Sequence, residues 1–152
     1  MPSGKDVFRD RLLKYCQFRD RCQQEFEQKM WEIKIPREWQ DELMMEFLQN
    51  DLLNEERFAK SMARGKFRIN HWGKIKIKIL LKSHRILDGL IREALNEIDD
   101  QEYFQTCLQE YKKKYETLTG LSEAEKKQKC IGFLLQKGFE YELIQKVMEG
   151  EN

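Results

Sequence analysis

Apolar residues return along this chain at three- and four-residue steps almost from end to end, the spacing of helices that each bury one stripe. Val7, Phe8, Leu12, Tyr15 and Cys16 mark a first helix, and Phe26, Met30 and Ile33 a second over Cys22 to Ile33. Pro36 opens a third, carrying Trp39, Leu43, Met44, Phe47 and Leu48, because a first-turn proline lacks only an N–H that has no partner there. Asn54 predicts the N-cap of the next helix, with Glu55 and Glu56 in its first turn and Phe58, Met62 and Phe67 facing inward. Asn70 is expected to cap a helix through Trp72, Ile75, Ile79 and Leu80. Within it, Lys74-Ile75-Lys76-Ile77-Lys78-Ile79 alternates like a strand, but the continuation to Leu80, Leu81 and His84 breaks the alternation and restores helical spacing.

The pattern also repeats. Phe133-Leu134 overlays Leu80-Leu81, Phe139 overlays Ile86, Leu143-Ile144 overlays Leu90-Ile91, and Val147-Met148 overlays Ala94-Leu95. A fainter copy runs through Met30, Ile35, Trp39, Leu43 and Met44. The expectation is an all-α, elongated and curved array of three tandem three-helix repeats with about nine helices, at a period of about 50 residues. The expected units are residues 1–52, 53–98 and 99–152, with a longer loop at Gly120 and Leu121 inside the third.

Composition narrows the class. With 8 Gly and 2 Pro, the chain is short of the turn residues that a sandwich or barrel uses. No stretch approaches the roughly 20 apolar residues of a membrane span, and Met1 to Asp10 is too polar for the core of a signal peptide, so a cytoplasmic protein without membrane contact is expected. Cys16, Cys22, Cys107 and Cys130 form no C-x-x-C pair and His71 lies far from His84, so neither a metal nor another cofactor is expected. The cysteines read as small buried residues.

The net charge of +1 hides an uneven distribution. Ten basic residues and no acid lie between Arg57 and Leu87: Arg57, Lys60, Arg64, Lys66, Arg68, Lys74, Lys76, Lys78, Lys82 and Arg85. Taking these ten from the 28 Lys and Arg leaves 18 against 27 Asp and Glu, a net of −9 elsewhere. A helix face without mixed charge forgoes the support of opposite charges one turn apart, which points to a polyanionic partner. Lys74, Lys78, Lys82 and Arg85 are spaced as one helical stripe, and Arg57, Lys60, Arg64 and Lys66 or Arg68 as another. Two such stripes suit a sugar-phosphate backbone, with Asn70 the main side chain fit to read a base edge, so little sequence specificity is expected. Trp72 beside Gly73 reads as a core anchor next to a close helix contact rather than a base-stacking platform.

Catalytic chemistry finds no constellation. Neither histidine has a sequence-adjacent nucleophile and orienting group, Gly65-Lys66 lacks the upstream glycine of a phosphate loop, and Glu55-Glu56 and Asp99-Asp100 fit helix starts.

Leu53-Asn54-Glu55-Glu56-Arg57-Phe58-Ala59, Arg64-Gly65-Lys66-Phe67-Arg68-Ile69-Asn70 and Trp72-Gly73-Lys74-Ile75-Lys76-Ile77 together resemble the RecX family of recombination regulators, in the version of Bacteroidetes-type bacteria. Arg21-Cys22, Glu25 and Lys29-Met30 are similar to the family's first repeat, and Lys137-Gly138-Phe139 with Leu143-Ile144 to its third. The resemblance spans roughly residues 10 to 150; Trp31 to Ile35 departs from it, standing where many members keep a glycine-containing turn. It implies a non-enzymatic, monomeric protein that binds RecA, alone and in the filament, lies in the groove of the RecA–DNA filament and inhibits its activities. It also implies contact with single- and double-stranded DNA. A free-standing helical nucleic-acid-binding module, or a transcriptional regulator, is the alternative; a scaffold for an acidic protein partner is a third reading.

Overall fold

The computed structural model describes residues 3–150, and among them nine α-helices and no strand. The outer limits expected at residues 1 and 152 lie outside the described residues. The helices are α1 (Gly4–Phe18), α2 (Gln23–Glu32), α3 (Arg37–Gln49), α4 (Glu55–Arg68), α5 (Lys74–Ser83), α6 (Asp88–Asn96), α7 (Asp100–Thr117), α8 (Glu123–Gln136) and α9 (Tyr141–Glu149). They form three successive three-helix units in a tandem array.

Local chemistry sets most helix starts. Asn54 Oδ1 accepts from the Arg57 N–H at 2.9 Å, Asp99 from Glu102 at 2.9 Å and Ser122 from Glu125 at 3.2 Å. Cys22 caps α2 with its thiol: the Glu25 N–H points at Sγ at 3.4 Å, and the Glu25 carboxylate accepts from the Cys22 N–H at 3.3 Å. This is a capping box with sulfur in the hydroxyl's place.

The same turn joins the second and third helix of every unit. Lys34, Arg85 and Gly138 each take a positive φ (60°, 59° and 98°), and the buried residues that follow are Ile35, Ile86 and Phe139. Their N–H groups reach back to Met30, Leu81 and Leu134 carbonyls at 3.0–3.2 Å, closing a Schellman turn three times. The first unit makes with Lys34 the turn that the third makes with glycine. The overlaid positions are buried as expected: Leu81 with Leu134, Ile91 with Ile144, Ala94 with Val147.

Three expectations are corrected. Asn70 caps no helix. The chain leaves α4 through His71 at φ 56°, Trp72 donates back to the Lys66 carbonyl at 3.1 Å, and α5 starts at Lys74 with Gly73 as its N-cap. The buried face of α5 is Ile77 and Leu81, not Ile75 and Ile79, which are 45% and 64% exposed. With isoleucine at every second position, each helix face holds one, and docking rather than hydrophobicity selects the rotation. Arg85 is not on the α5 stripe, because the helix ends at Ser83 and Arg85 forms the turn.

Docking is fixed where α5 begins. Gly73 N–H donates to the Lys137 carbonyl at 2.8 Å, and Ile75 N–H to the Gly138 carbonyl at 3.0 Å. Lys74 N–H donates to Tyr103 Oη at 2.8 Å, and the Tyr103 hydroxyl in turn donates to the Glu140 carboxylate. The Tyr103 ring packs between Phe67 (5.7 Å) and Phe139 (5.4 Å). One continuous core therefore runs through the second and third units, taking in Cys22 as well; the first unit keeps its own core of Leu12, Phe26, Met30, Ile35, Leu43, Phe47 and Leu53.

Polar groups dominate the junction between the first two units. Arg57 Nε meets Asp20 at 2.7 Å, Gln23 N–H meets Glu55 at 3.3 Å, and His84 Nδ1 lies 2.9 Å from Gln24 Oε1 and 3.8 Å from Cys22 Sγ. The His84 ring stands edge-on to Phe58 at 5.4 Å.

A Cβ at Gly73 would overlap the Gly138 carbonyl and the Phe139 nitrogen, whereas one at Gly65, inside α4, would meet open space. Gly73→Ala is expected to cost about 3 kcal/mol, the upper end for overpacking, and to lower the melting temperature by roughly 6–12 °C. Gly65→Ala is expected to gain about 0.5–1 kcal/mol. Thermal unfolding followed by circular dichroism checks both; equal effects of the two substitutions would contradict the seam.

Candidate nucleic-acid interface

The basic residues of the middle unit occupy three distinct settings. Arg57, Lys60, Arg64 and Arg68 follow one side of α4 in steps of three, four and four. Arg57 is a structural pin, bonded to Asp20 and, at 3.1 Å, to Asp51. Lys60 bridges Glu56 (2.7 Å) and Glu97 (3.0 Å), and hydrogen bonds to those carboxylates raise its pKa above the usual lysine value. Arg68 lies 3.5 Å from Glu102, while Arg64 is exposed and pairs with no carboxylate among the described residues. Arg64 and Arg68 edge a cleft of about 230 Å³ whose floor is Phe67, Ala94 and Ile98. Glu56 lies on α4 itself, one turn before Lys60, while Glu97 and Glu102 lie outside the acid-free segment in sequence and are set against α4 by the fold.

On α5, Lys74, Lys78 and Lys82 form the second row. Lys74 Nζ sits over the Tyr103 ring at 4.8 Å, Lys78 is exposed, and Lys82 Nζ is 3.7 Å from Asp88. Beside them the fold adds Arg92, which shares a cleft of about 270 Å³ with Lys74, Ile75 and Lys78. Sequence spacing missed Arg92 because it belongs to a different helix. The exposed Ile75 and Ile79 give this row an apolar component as well.

Lys66 projects from another side of α4 and belongs to neither row. Its Nζ lies 4.9 Å from the Trp72 ring centre, and Lys76 Nζ lies 4.3 Å from the same centre. Trp72 is half-buried and packs on the shared core, in keeping with an anchor, and carries the two cations on its remaining surface. Lys137 adds a further cation near this point, with its Nζ on the Asn70 carbonyl at 2.7 Å. Phe58 is buried and Gly73 lies in the seam, so both act through structure. Among the described residues no His/Cys/Asp/Glu cluster could hold a metal, and no helix is long and apolar enough to cross a membrane.

Fold and surface together define an all-α repeat protein whose distinctive chemistry is a basic face on its middle unit. Two family models match, described as the second and third three-helix domains of RecX, over residues 54–95 and 100–148. The chain belongs to the RecX family. It is 30% identical over 108 residues to the regulatory protein RecX of Clostridioides difficile, covering 70% of this chain and 51% of that protein. It is 33% identical over 99 residues to that of Chlorobaculum tepidum, covering 65% and 59%. The chain thus spans about half to six-tenths of the length of these relatives. The crystal structure of RecX from Lactobacillus salivarius superposes with a TM-score of 0.85 at 23% identity, over 96% of this chain and 95% of that one. A further RecX crystal structure superposes with a TM-score of 0.86 at 19% identity, over 95% and 71%. These two likenesses establish the shared fold. The relatives carry the name of a regulatory protein.

Burial also sets the thiol chemistry. It raises the pKa of Cys16 and Cys22 from 9.0 to about 11 and that of Cys107 to about 12, and all four cysteines are free. Unfolded thiols ionise near 9, folded ones higher, so above pH 9 the unfolded chain binds fewer protons and stability falls as pH rises. At pH 7.5, iodoacetamide is expected to modify Cys22 and Cys107 far more slowly in the folded protein than after denaturation, as read by mass spectrometry. Equal rates would contradict this burial.

Proposed function

We propose that this chain binds RecA and the RecA–DNA filament and inhibits the recombinase and its ATP hydrolysis, modulating DNA recombination and repair. Family membership supports the RecA partner. The single observation that carries the DNA contact is the middle unit's cationic surface: Arg64, Lys66, Lys74, Lys76 and Lys78 pair with no carboxylate among the described residues. Such charges raise the local concentration of a polyanion and bind it with strong salt dependence and little sequence preference.

In this reading the protein acts as a cytoplasmic monomer without catalysis, and residues 1–52, 53–98 and 99–152 are its three modules. The middle one meets DNA, while the acidic outer ones face neighbouring RecA subunits. Inhibition is mechanical: an array long enough to touch several subunits obstructs the cycle of ATP hydrolysis or favours disassembly.

The test is single-stranded-DNA-dependent ATP hydrolysis by RecA of the same organism, with this protein added to preformed filaments. Inhibition is expected, and inhibition well below one copy per RecA subunit assigns the effect to filament ends or disassembly. Unchanged hydrolysis together with salt-dependent binding to bare DNA would replace this proposal with a stand-alone nucleic-acid-binding module.

A further inference from the structure

We infer that Lys66, Trp72 and Lys76 form a seat for a phosphodiester of single-stranded DNA at the seam between the second and third units. The inference rests on the nucleic-acid reading above and gives it a specific site, off both of the basic rows that the fold assembles on α4 and α5.

The indole brings two ammonium groups together without neutralising them. Their distances of 4.9 and 4.3 Å from one ring centre put the two Nζ atoms within about 9 Å of each other, comparable to the screening length of about 8 Å at physiological salt. Neither lysine pairs with a carboxylate among the described residues, so no acid neutralises either charge. Lys76 also lies in the first turn of α5, which holds Lys74 and no acid. Cations are unfavourable at that end of a helix. Two cations without an acidic partner at this separation favour the approach of an anion.

The seat is also preorganised. Trp72 N–H is bonded to the Lys66 carbonyl, Gly73 N–H to the Lys137 carbonyl, and Lys137 Nζ to the Asn70 carbonyl. The stretches of main chain that carry the three groups are therefore tied together before any ligand arrives. Lysine acts as a point charge suited to a phosphate oxygen, and the half-buried indole holds both ammonium groups near one place.

Lys66→Gln/Lys76→Gln tests the site, since both side chains are half-exposed and the core is left intact. Binding of a fluorescein-labelled oligothymidylate is followed by anisotropy over a series of KCl concentrations. The slope of log affinity against log salt is expected to become shallower by about 0.7, the value for one phosphate contact on single strands. The melting temperature should not fall. Lys127→Gln/Lys129→Gln makes the same change of charge at exposed positions on α8 and is expected to leave the slope unchanged. An unchanged slope in the first variant, or an equal change in both, would overturn the inference. Weaker filament inhibition with an unchanged DNA slope would overturn it too, by assigning the lysines to carboxylates of a protein partner. A wild-type protein that binds no oligothymidylate would remove the nucleic-acid reading itself, and the site with it.

Discussion

Two glycine positions approach so closely that neither tolerates a side chain, and the placement of α5 follows from that approach. Gly73 opens α5 and Gly138 closes the turn before α9; their peptide groups exchange hydrogen bonds through Lys137 and Ile75. Backbone contact at this range fixes both the position and the rotation of α5. It places Ile77 and Leu81 inward, and so leaves Lys78, Ile75 and Ile79 outward. It also sets Trp72, the residue before the seam, where lysines from α4 and α5 both reach its ring. The cationic surface is a consequence of the seam as much as of the number of lysines.

The two junctions of the array differ in kind. Between the second and third units lie a shared apolar core, the Tyr103 ring and main-chain hydrogen bonds. Between the first and second lie ion pairs and side-chain hydrogen bonds around Arg57, Glu55 and His84, with a separate core on the far side. One Glu55 carboxylate oxygen is buried there without a partner, and burial raises that group's pKa. Polar contacts of this sort contribute modestly next to a continuous core. The second and third units thus share one core, with the first unit attached through a more polar contact.

Much of this was legible in the sequence, and the limits are physical. Helical spacing identified Leu81 with Leu134 and Ile91 with Ile144 because each unit buries the same positions, and Asn54 announced its helix through ordinary capping chemistry. The lysine–isoleucine alternation could not reveal which isoleucine is buried, since the pattern is degenerate around a helix and the contact of Gly73 with Gly138, far away in the chain, decides. Asn70 resembled a cap, but the stop signal lies in the left-handed turn at His71, a conformation that a histidine rarely announces. The basic stripe on α4 was visible, and its acidic neighbours Glu97 and Glu102 were not, because proximity between helices is not written in spacing. Cys22 as an N-cap was hidden for a simpler reason: thiols seldom serve there.

Native-state hydrogen exchange at Ile75 measures the seam most directly, because its N–H is bonded across the two units to Gly138. If these units are one body, the Ile75 amide opens with the same free energy as core amides of Ile77 on α5 and Leu134 on α8, and more slowly than amides of α1 and α2. An Ile75 amide that exchanges through a low-energy opening while α8 and α9 stay protected would show that the units separate freely, and would contradict the structure-borne surface described above.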